Sequence, residues 1–406
     1  MDKIFQKQLQ KRSYYLEKIK KFFFTPFVKV LIGQRRVGKS SLLIQTLQCF
    51  VNEKGVSKED IFYMNKEYPD FDDVKTYQDL NTILIPFIEK DENYKVIALD
   101  EIQEIENWEK SINGILSKYE KVDIYITGSN SHLLSGELAT LLSGRYVEIP
   151  IFPMTYKETK EVIQNSHLSF LEYLQYGWLP EVYFQKDEDV KFSYLQSVYN
   201  TIILKDVISR NQIKNQHFFS LLYKYIFKSI GNIFSAKNIS DYLKSQKIDI
   251  SVNSVLEYLK YGEFAFVLNQ VKSQEIKTKK LFSIHNKYYV GDLGVRNALV
   301  GFKTSEDIWW ILENYVYLVL RKYGYTITIG RIQNYEVDFI AEKQGKLMYF
   351  QVATSIMDDT TREREYYSLK QIHDNRPKYV VSMDDFDFWV SEGIQHLMIQ
   401  NLEEIL

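Results

Sequence analysis

Apolar runs closed by polar or glycine residues recur through the first 150 positions. FVKVLI ends at Ile32, IFYMN spans 61–65, KVIALD spans 95–100, DIYITG spans 123–128 and VEIPIF spans 147–152. Runs of this length with little alternation read as strands buried on both faces, as in a parallel sheet. SLLIQTLQCF, directly after the first run, reads as a helix, so the region begins strand, loop, helix. From 157 to 230 the spacing turns helical, in TYKETKEVI, SFLEYLQY, KFSYLQSVYNTIILKDVIS and HFFSLLYKYIFKSI. Their aromatic and aliphatic residues recur at core spacing. Residues 235–268 read as helix, turn, helix, strand, with Ser235 and Ser251 as N-caps. In the second of these helices Val255, Leu256 and Leu259 are expected to face inward, leaving Asn253, Ser254, Glu257 and Lys260 outward. A hairpin follows, its tip carrying Lys272, Lys277, Lys279 and Lys280. The chain closes with a helix at 311–325, a hairpin, a strand, a charged helix and the strand PKYVVSM.

The loop after the first strand is GQRRVGKS at 33–40, which fits G-x-x-x-x-G-K-[ST] without mismatch. Both flanks match the strand–loop–helix context that the motif requires. Gly33 and Gly38 let the backbone wrap phosphates, with N–H groups of Gln34, Arg35, Arg36, Val37 and Ser41 available around them at a helix N-terminus. Lys39 would reach the β- and γ-phosphates of ATP, and the Ser40 hydroxyl would take one position on Mg²⁺. The third strand supplies the acidic partner. Asp100 would hold Mg²⁺ through water and Glu101 would polarise the attacking water; the alternative is an acidic helix cap. Ser129, Asn130 and Asn65 stand at carboxyl ends of strands, where open α/β sheets bind ligands. Arg145 precedes the fifth strand and reads equally as a finger reaching a neighbouring subunit's γ-phosphate or as a surface residue in a turn.

Composition adds bounds. The 406-residue chain is 45% apolar and 26% charged, ordinary values for a folded soluble protein. Without 18 consecutive apolar residues, no membrane span is expected. The charged, amphipathic start lacks an apolar signal core. The lone Cys49 excludes an internal disulfide, so the expected setting is the cytoplasm. The net charge of −2 conceals an asymmetry. Residues 51–110 hold 16 acidic against 7 basic side chains, 191–300 hold 16 basic against 7 acidic, and 301–406 hold 17 acidic against 11 basic. A basic middle containing helix-turn-helix and a lysine-rich hairpin is an arrangement that contacts double-stranded DNA, mainly through phosphate. The second helix has no arginine for guanine readout, and the same shape also serves as a protein-contact module.

GQRRVGKSSLL, VIALDEIQEIENWE, ITGSNSHLLSGELATLLSGRYVEI and FPMTYKE occur in that order, followed by YGWLPEV, KYYVGDLGVRNALVG, EVDFIAEKQGKLMYFQVA and PKYVVSMD. This series resembles the prokaryotic AAA+ ATPases that carry a winged helix and then a PD-(D/E)XK nuclease-like region of unassigned function. The resemblance implies an α/β fold: a P-loop sheet over 1–155, a helical lid over 156–215, a winged helix over 216–300 and a restriction-endonuclease-like domain over 301–406. It makes Gly33, Gly38, Lys39 and Ser40 Walker A, Asp100 and Glu101 Walker B, Ser129 or Asn130 the sensor, and Arg145 the finger. ATP and Mg²⁺ are the implied ligands, and a homo-oligomer follows if Arg145 acts on a neighbour.

The last domain departs from its pattern. Nucleases of this type place Asp on one strand and Glu-x-Lys on the next. Here Glu313 and Asp338 fill two acidic positions, but Gln351 and Ala353 replace the second carboxylate and the lysine. Gln351 offers a carbonyl oxygen without charge, and the water-activating lysine is gone. The expectation is therefore an ATPase with a degraded nuclease-like site. The alternatives are an ATP-gated nuclease and a nucleotide-dependent switch that docks an unidentified protein partner.

Overall fold

A computed structural model describes residues 2–129, 142, 144–213, 215–245, 250–282, 286–386 and 390–406. The chain divides into two compact units, one comprising Met1–Ile151 with Val162–Gln164, the other Phe152–Glu161 with Asn165–Leu406.

The first unit is built on five strands, β1 (Val28–Ile32), β2 (Ile61–Asn65), β3 (Lys95–Asp100), β4 (Val122–Gly128) and β5 (Tyr146–Pro150). Their order is β2-β3-β4-β1-β5, and every pairing is parallel. Every residue of β1, β3 and β4 is buried, which explains why the sequence shows runs rather than alternation. The helix Lys39–Lys54 packs against the sheet through Leu42, Leu43, Leu47 and Phe50. Gly38 and Gly55 bracket it, both at positive φ (92° and 70°), a conformation that costs glycine little. The helix Tyr77–Ile88 opens on a reciprocal capping box between Thr76 and Asp79. This is the α/β architecture with a parallel sheet that the sequence leads one to expect of a P-loop domain.

In the second unit, the helices Phe170–Tyr176 and Glu188–Thr201 pack on the helix Leu293–Val300. A π-helical stretch, Ile202–Ser209, continues the second of them. A three-stranded antiparallel sheet, order β6-β9-β7, joins β6 (Ile233–Phe234), β7 (Leu268–Val271) and β9 (Asn286–Val290). It accompanies the helices Ala236–Ser245 and Val252–Phe264, whose caps are Ser235 and Ser251, accepting from Asn238 N and Ser254 N. One inward assignment is corrected: Val255 and Leu259 are buried, but Leu256 is 48% exposed.

A larger sheet follows, with β10 (Thr326–Ile332), β11 (Tyr335–Lys343), β12 (Lys346–Val352), β13 (Lys378–Ser382), β14 (Val390–Ser391) and β15 (Ile394–Met398). Its order is β14-β15-β13-β12-β11-β10-β8, where β8 (Ser273–Glu275) comes from the hairpin region upstream. β10, β11 and β12 run antiparallel, whereas β12, β13 and β15 are parallel. The hairpin expected between β7 and β9 is therefore modified. Its two strands do pair, but the segment between them leaves that sheet, and Ser273–Glu275 runs parallel to Ile329–Arg331 of β10. Lys272, Lys277, Lys279 and Lys280 remain exposed.

Candidate functional site

The loop after β1 has the backbone that its glycines imply. Gly33 has φ +155°, and a Cβ there would lie 2.2 Å from the Ile151 carbonyl oxygen. Only glycine fits that approach. Gly38 and Arg36 also have positive φ, Arg36 being exposed and Val37 buried. Arg35 bonds Glu67 at 3.0 Å, and Gln34 is buried. Lys39, 4% exposed, donates to the Gly33 and Gln34 carbonyls at 2.9 and 3.0 Å, which holds its ammonium inside the loop. Arg12, well upstream, donates to the Val37 carbonyl at 2.8 Å and so ties the N-terminal segment to the loop.

Beneath the loop, strand register gathers the polar side chains. Asp100, at the end of β3, is fully buried. It accepts from the Thr127 hydroxyl on β4, from Asn65 at 2.8 Å and Tyr63 at 3.2 Å on β2, and from the Ser40 hydroxyl. Burial pushes the Asp100 carboxyl above its ordinary range, while the Thr127 and Ser40 hydroxyls oppose the rise. A cation at this carboxylate would favour its charged form. Glu101 follows in the left-handed region, φ 57°, so its side chain departs from the strand direction. Its N–H reaches the Thr127 hydroxyl at 3.0 Å, and its carboxylate accepts from Ser129 at 3.3 Å and from Gln103. Ser40, Asp100, Glu101 and Ser129 thus stand together. Ser41 follows them on the first turn of the helix, half-buried. Asn130 lies outside the described residues.

Arg145 stands elsewhere. Tyr146 pairs with Val28 at the start of β1, so Arg145 is at the amino end of the sheet, a full strand from its own loop. Its guanidinium bonds Asn113 and Ser117 on the helix Trp108–Lys118, each at 3.2 Å. It does not join the site of its own chain. Thr127, Tyr63 and Gln103 do, and the motif spacing gave no sign of them. Their signal lies in register: β4 runs beside β3 with Ile126 opposite Leu99, which sets Thr127 beside Asp100.

The second unit holds another cluster. Glu313, Asp338 and Gln351 line one cavity of about 900 Å³ together with Glu336, Glu365 and Lys287. Lys287, on β9, bonds Glu313 at 2.8 Å and Glu336 at 2.7 Å, with Asp338 at 3.9 Å. Burial works against the Lys287 charge, but Glu313, Asp338 and Glu336 outweigh it and hold the ammonium above the ordinary lysine range. Burial and the Glu313 charge push Asp338 upward, opposed by Lys287 and by the Val352 N–H at 2.8 Å. Gln351 accepts from the Asp338 N–H at 3.3 Å and donates to Glu365 at 2.9 Å. Ala353 is 6% exposed and belongs to an apolar cluster with Ile356, Tyr366 and Leu369. Lys343 and Lys346 pair at the far end of the β11–β12 hairpin, with Lys343 over the Tyr325 ring.

A parallel sheet whose loop, helix and acidic strand end are arranged in this way matches the architecture of a P-loop NTPase domain. Residues 25–160 match the family model of the AAA domain, and residues 167–306 match a domain of unknown function (DUF8612). An uncharacterized protein of Haemophilus influenzae is 33% identical over 399 residues, covering 97% of this chain and 98% of that protein. The chain belongs to the family of this Haemophilus protein. An uncharacterized protein of Methanocaldococcus jannaschii is 29% identical over 401 residues, covering 93% and 86% of the two chains. Among solved structures, the chain is similar to the Walker-type ATPase PABY2304 of Pyrococcus abyssi at 16% identity and a TM-score of 0.44, covering 73% of this chain and 99% of that one.

Proposed function

We propose that this protein binds ATP with Mg²⁺ and hydrolyses it. The observation that carries the reading is the convergence of Ser40, Asp100, Glu101 and Ser129 under the glycine loop. In this reading the N–H groups of residues 34–41 cradle the phosphates and Lys39 leaves its carbonyl partners for the β- and γ-phosphates. The Ser40 hydroxyl and Asp100 fit a hard, oxygen-seeking cation, and Mg²⁺ there would neutralise phosphate charge. Glu101 orients and polarises the attacking water, positioned by Ser129 and Gln103. Asn130 shares the sensor role, and Arg145 serves a neighbouring protomer if the protein assembles.

For the second unit we read the small sheet with its two helices as a winged helix, and the large sheet as a restriction-endonuclease-like core. The ATP cycle would then drive contact with duplex DNA through Lys272, Lys277, Lys279 and Lys280, while Gln351 and Ala353 leave the nuclease-like site without its usual chemistry. The stitched hairpin favours a second reading, in which these modules dock a protein. ATP turnover by wild type and Glu101→Gln, with and without duplex DNA and across protein concentration, tests both. The variant should retain ATP binding and lose turnover by about 100-fold or more. Stimulation by DNA supports the first reading, indifference to DNA the second, and unchanged turnover in the variant removes the proposed role of Glu101.

A further inference from the structure

The glycine loop is held from outside by the segment that precedes the sheet. Arg36 and Gly38 both lie in the left-handed region, at φ 73° and 92°. A residue with a side chain, such as Arg36, keeps that conformation where its surroundings impose it. Between the two, the Val37 carbonyl accepts from the Arg12 guanidinium at 2.8 Å. Across a trans peptide a carbonyl and the following N–H point opposite ways. Holding the Val37 carbonyl on the Arg12 side therefore turns the Gly38 N–H to the other side. Arg12 is itself fixed. Its guanidinium lies 4.5 Å from the ring centre of the buried Tyr15. Gln45, buried on the helix Lys39–Lys54, accepts from the Arg12 N–H at 3.3 Å and donates to the Gln10 carbonyl at 2.9 Å. One turn further on, Gln48 donates to the Ile4 and Lys7 carbonyls at 3.3 and 3.0 Å. Residues 7–12 belong to no helix or strand, so these side chains stand in for backbone partners. Being three apart, the two glutamines share one face of the helix that begins at the loop.

We infer that Arg12 is a positioning residue for the phosphate loop: it sets the Val37–Gly38 peptide for a nucleotide phosphate and couples the seating of residues 4–12 to bound nucleotide. The inference rests on the reading of this loop as an ATP site. In that reading the Gly38 N–H is one of the phosphate donors, and a loop whose peptide is already turned binds without first having to turn it. Coupling of this kind is reciprocal. Whatever the seated segment adds to ATP affinity, bound ATP returns to the seating of the segment. Arg12 has no assigned part in the chemical step, so its loss falls on affinity more than on turnover.

The test uses the full chain with Mg²⁺ and a non-hydrolysable ATP analogue, titrated by calorimetry, beside ATP turnover. Arg12→Met keeps a stem over Tyr15 and removes the donors. Its affinity for the analogue should fall about tenfold, the scale of one hydrogen bond from a charged group. Its kcat should stay within about twofold of wild type, and Arg12→Lys, which restores a charged donor, should recover most of the lost affinity. Trypsin gives a readout independent of turnover. In wild type the analogue should slow cleavage after the exposed Lys7 and Lys11 by up to about the same tenfold, and in Arg12→Met it should give no protection. Equal affinity in wild type and a folded Arg12→Met overturns the inference and leaves the ATP reading standing, whereas a wild type that binds neither ATP nor the analogue overturns both. If Arg12→Met does not fold, wild-type cleavage that saturating analogue leaves unchanged overturns the inference.

Discussion

Thr127 shows how one hydroxyl sets the geometry of two acids. It donates to Asp100, accepts from the Glu101 N–H and is fully buried. Thr127→Val keeps the shape and removes both bonds, leaving a buried acceptor and a buried donor unmet. Urea unfolding should show a loss of about 2–6 kcal/mol, at 1–3 for each stranded group, and ATP turnover should fall more than ATP affinity. At this scale the sequence was legible where chemistry follows spacing along the chain. Lys39 and Ser40 are neighbours in one motif, and Asp100 and Glu101 follow a buried run. Thr127 and Tyr63 were not legible, because their relation to Asp100 exists only once β2, β3 and β4 are in register. Lys287 was missed for the same reason: it lies 51 positions before Asp338, and its approach depends on how β9 meets the helix bearing Glu313.

Among elements, two of the ordered motifs, YGWLPEV and KYYVGDLGVRNALVG, turn out to touch. A Cβ on Gly294 would lie 1.9 Å from the Tyr176 carbonyl oxygen, and one on Gly177 would lie 2.3 Å from the Gly294 nitrogen. Asp292 caps the helix Leu293–Val300 through Val295 N and also accepts from Trp178 N at 2.9 Å. Gly294→Ala must separate backbone from backbone, and should cost on the order of 4 kcal/mol or more in unfolding measurements, in the severe range for a single substitution. Burial pushes the Asp292 carboxyl to about 6 from an ordinary 3.8, opposed by its backbone donors. The unfolded chain therefore ionises first as pH rises, and the folded state loses stability between about pH 4 and pH 6. Measured against Asp292→Asn, wild type should lose up to about 3 kcal/mol across that window, at about 1.4 per pH unit. A difference that stays flat from pH 4 to 6.5 would show that Asp292 ionises normally. The order of the motifs was plain in the sequence. That they form one joint was not, since two glycines declare a close approach only when both backbones are present.

At the scale of the molecule, the +9 charge of residues 191–300 and the four exposed lysines make a quantitative claim about DNA. Substituting Lys277, Lys279 and Lys280 together by alanine should make the slope of log affinity against log salt shallower by about 2–3, near 0.9 for each phosphate no longer neutralised. An unchanged slope would leave this hairpin out of the proposed DNA contact. Arg145, bound to Asn113 and Ser117 at the amino end of its sheet, carries another. Arg145→Ala should leave turnover unchanged in dilute protein, where no neighbour is present. A loss confined to high concentration would identify a finger acting between protomers, and equal loss at every dilution would assign the residue a local structural role. Here the sequence yielded the sum of charge and the order of strands and helices, but not the route by which the hairpin departs from its own sheet.

That route bears on how such a chain can change over generations. Because Ser273–Glu275 completes the sheet begun by β10, the chain makes and remakes its partnerships across residue 300. A break there strands β8 without its neighbour and exposes the bare side of β10, an invitation to pair with other chains. Recombination at that point would hand on two damaged halves. The small sheet and the large one are bound to be inherited together.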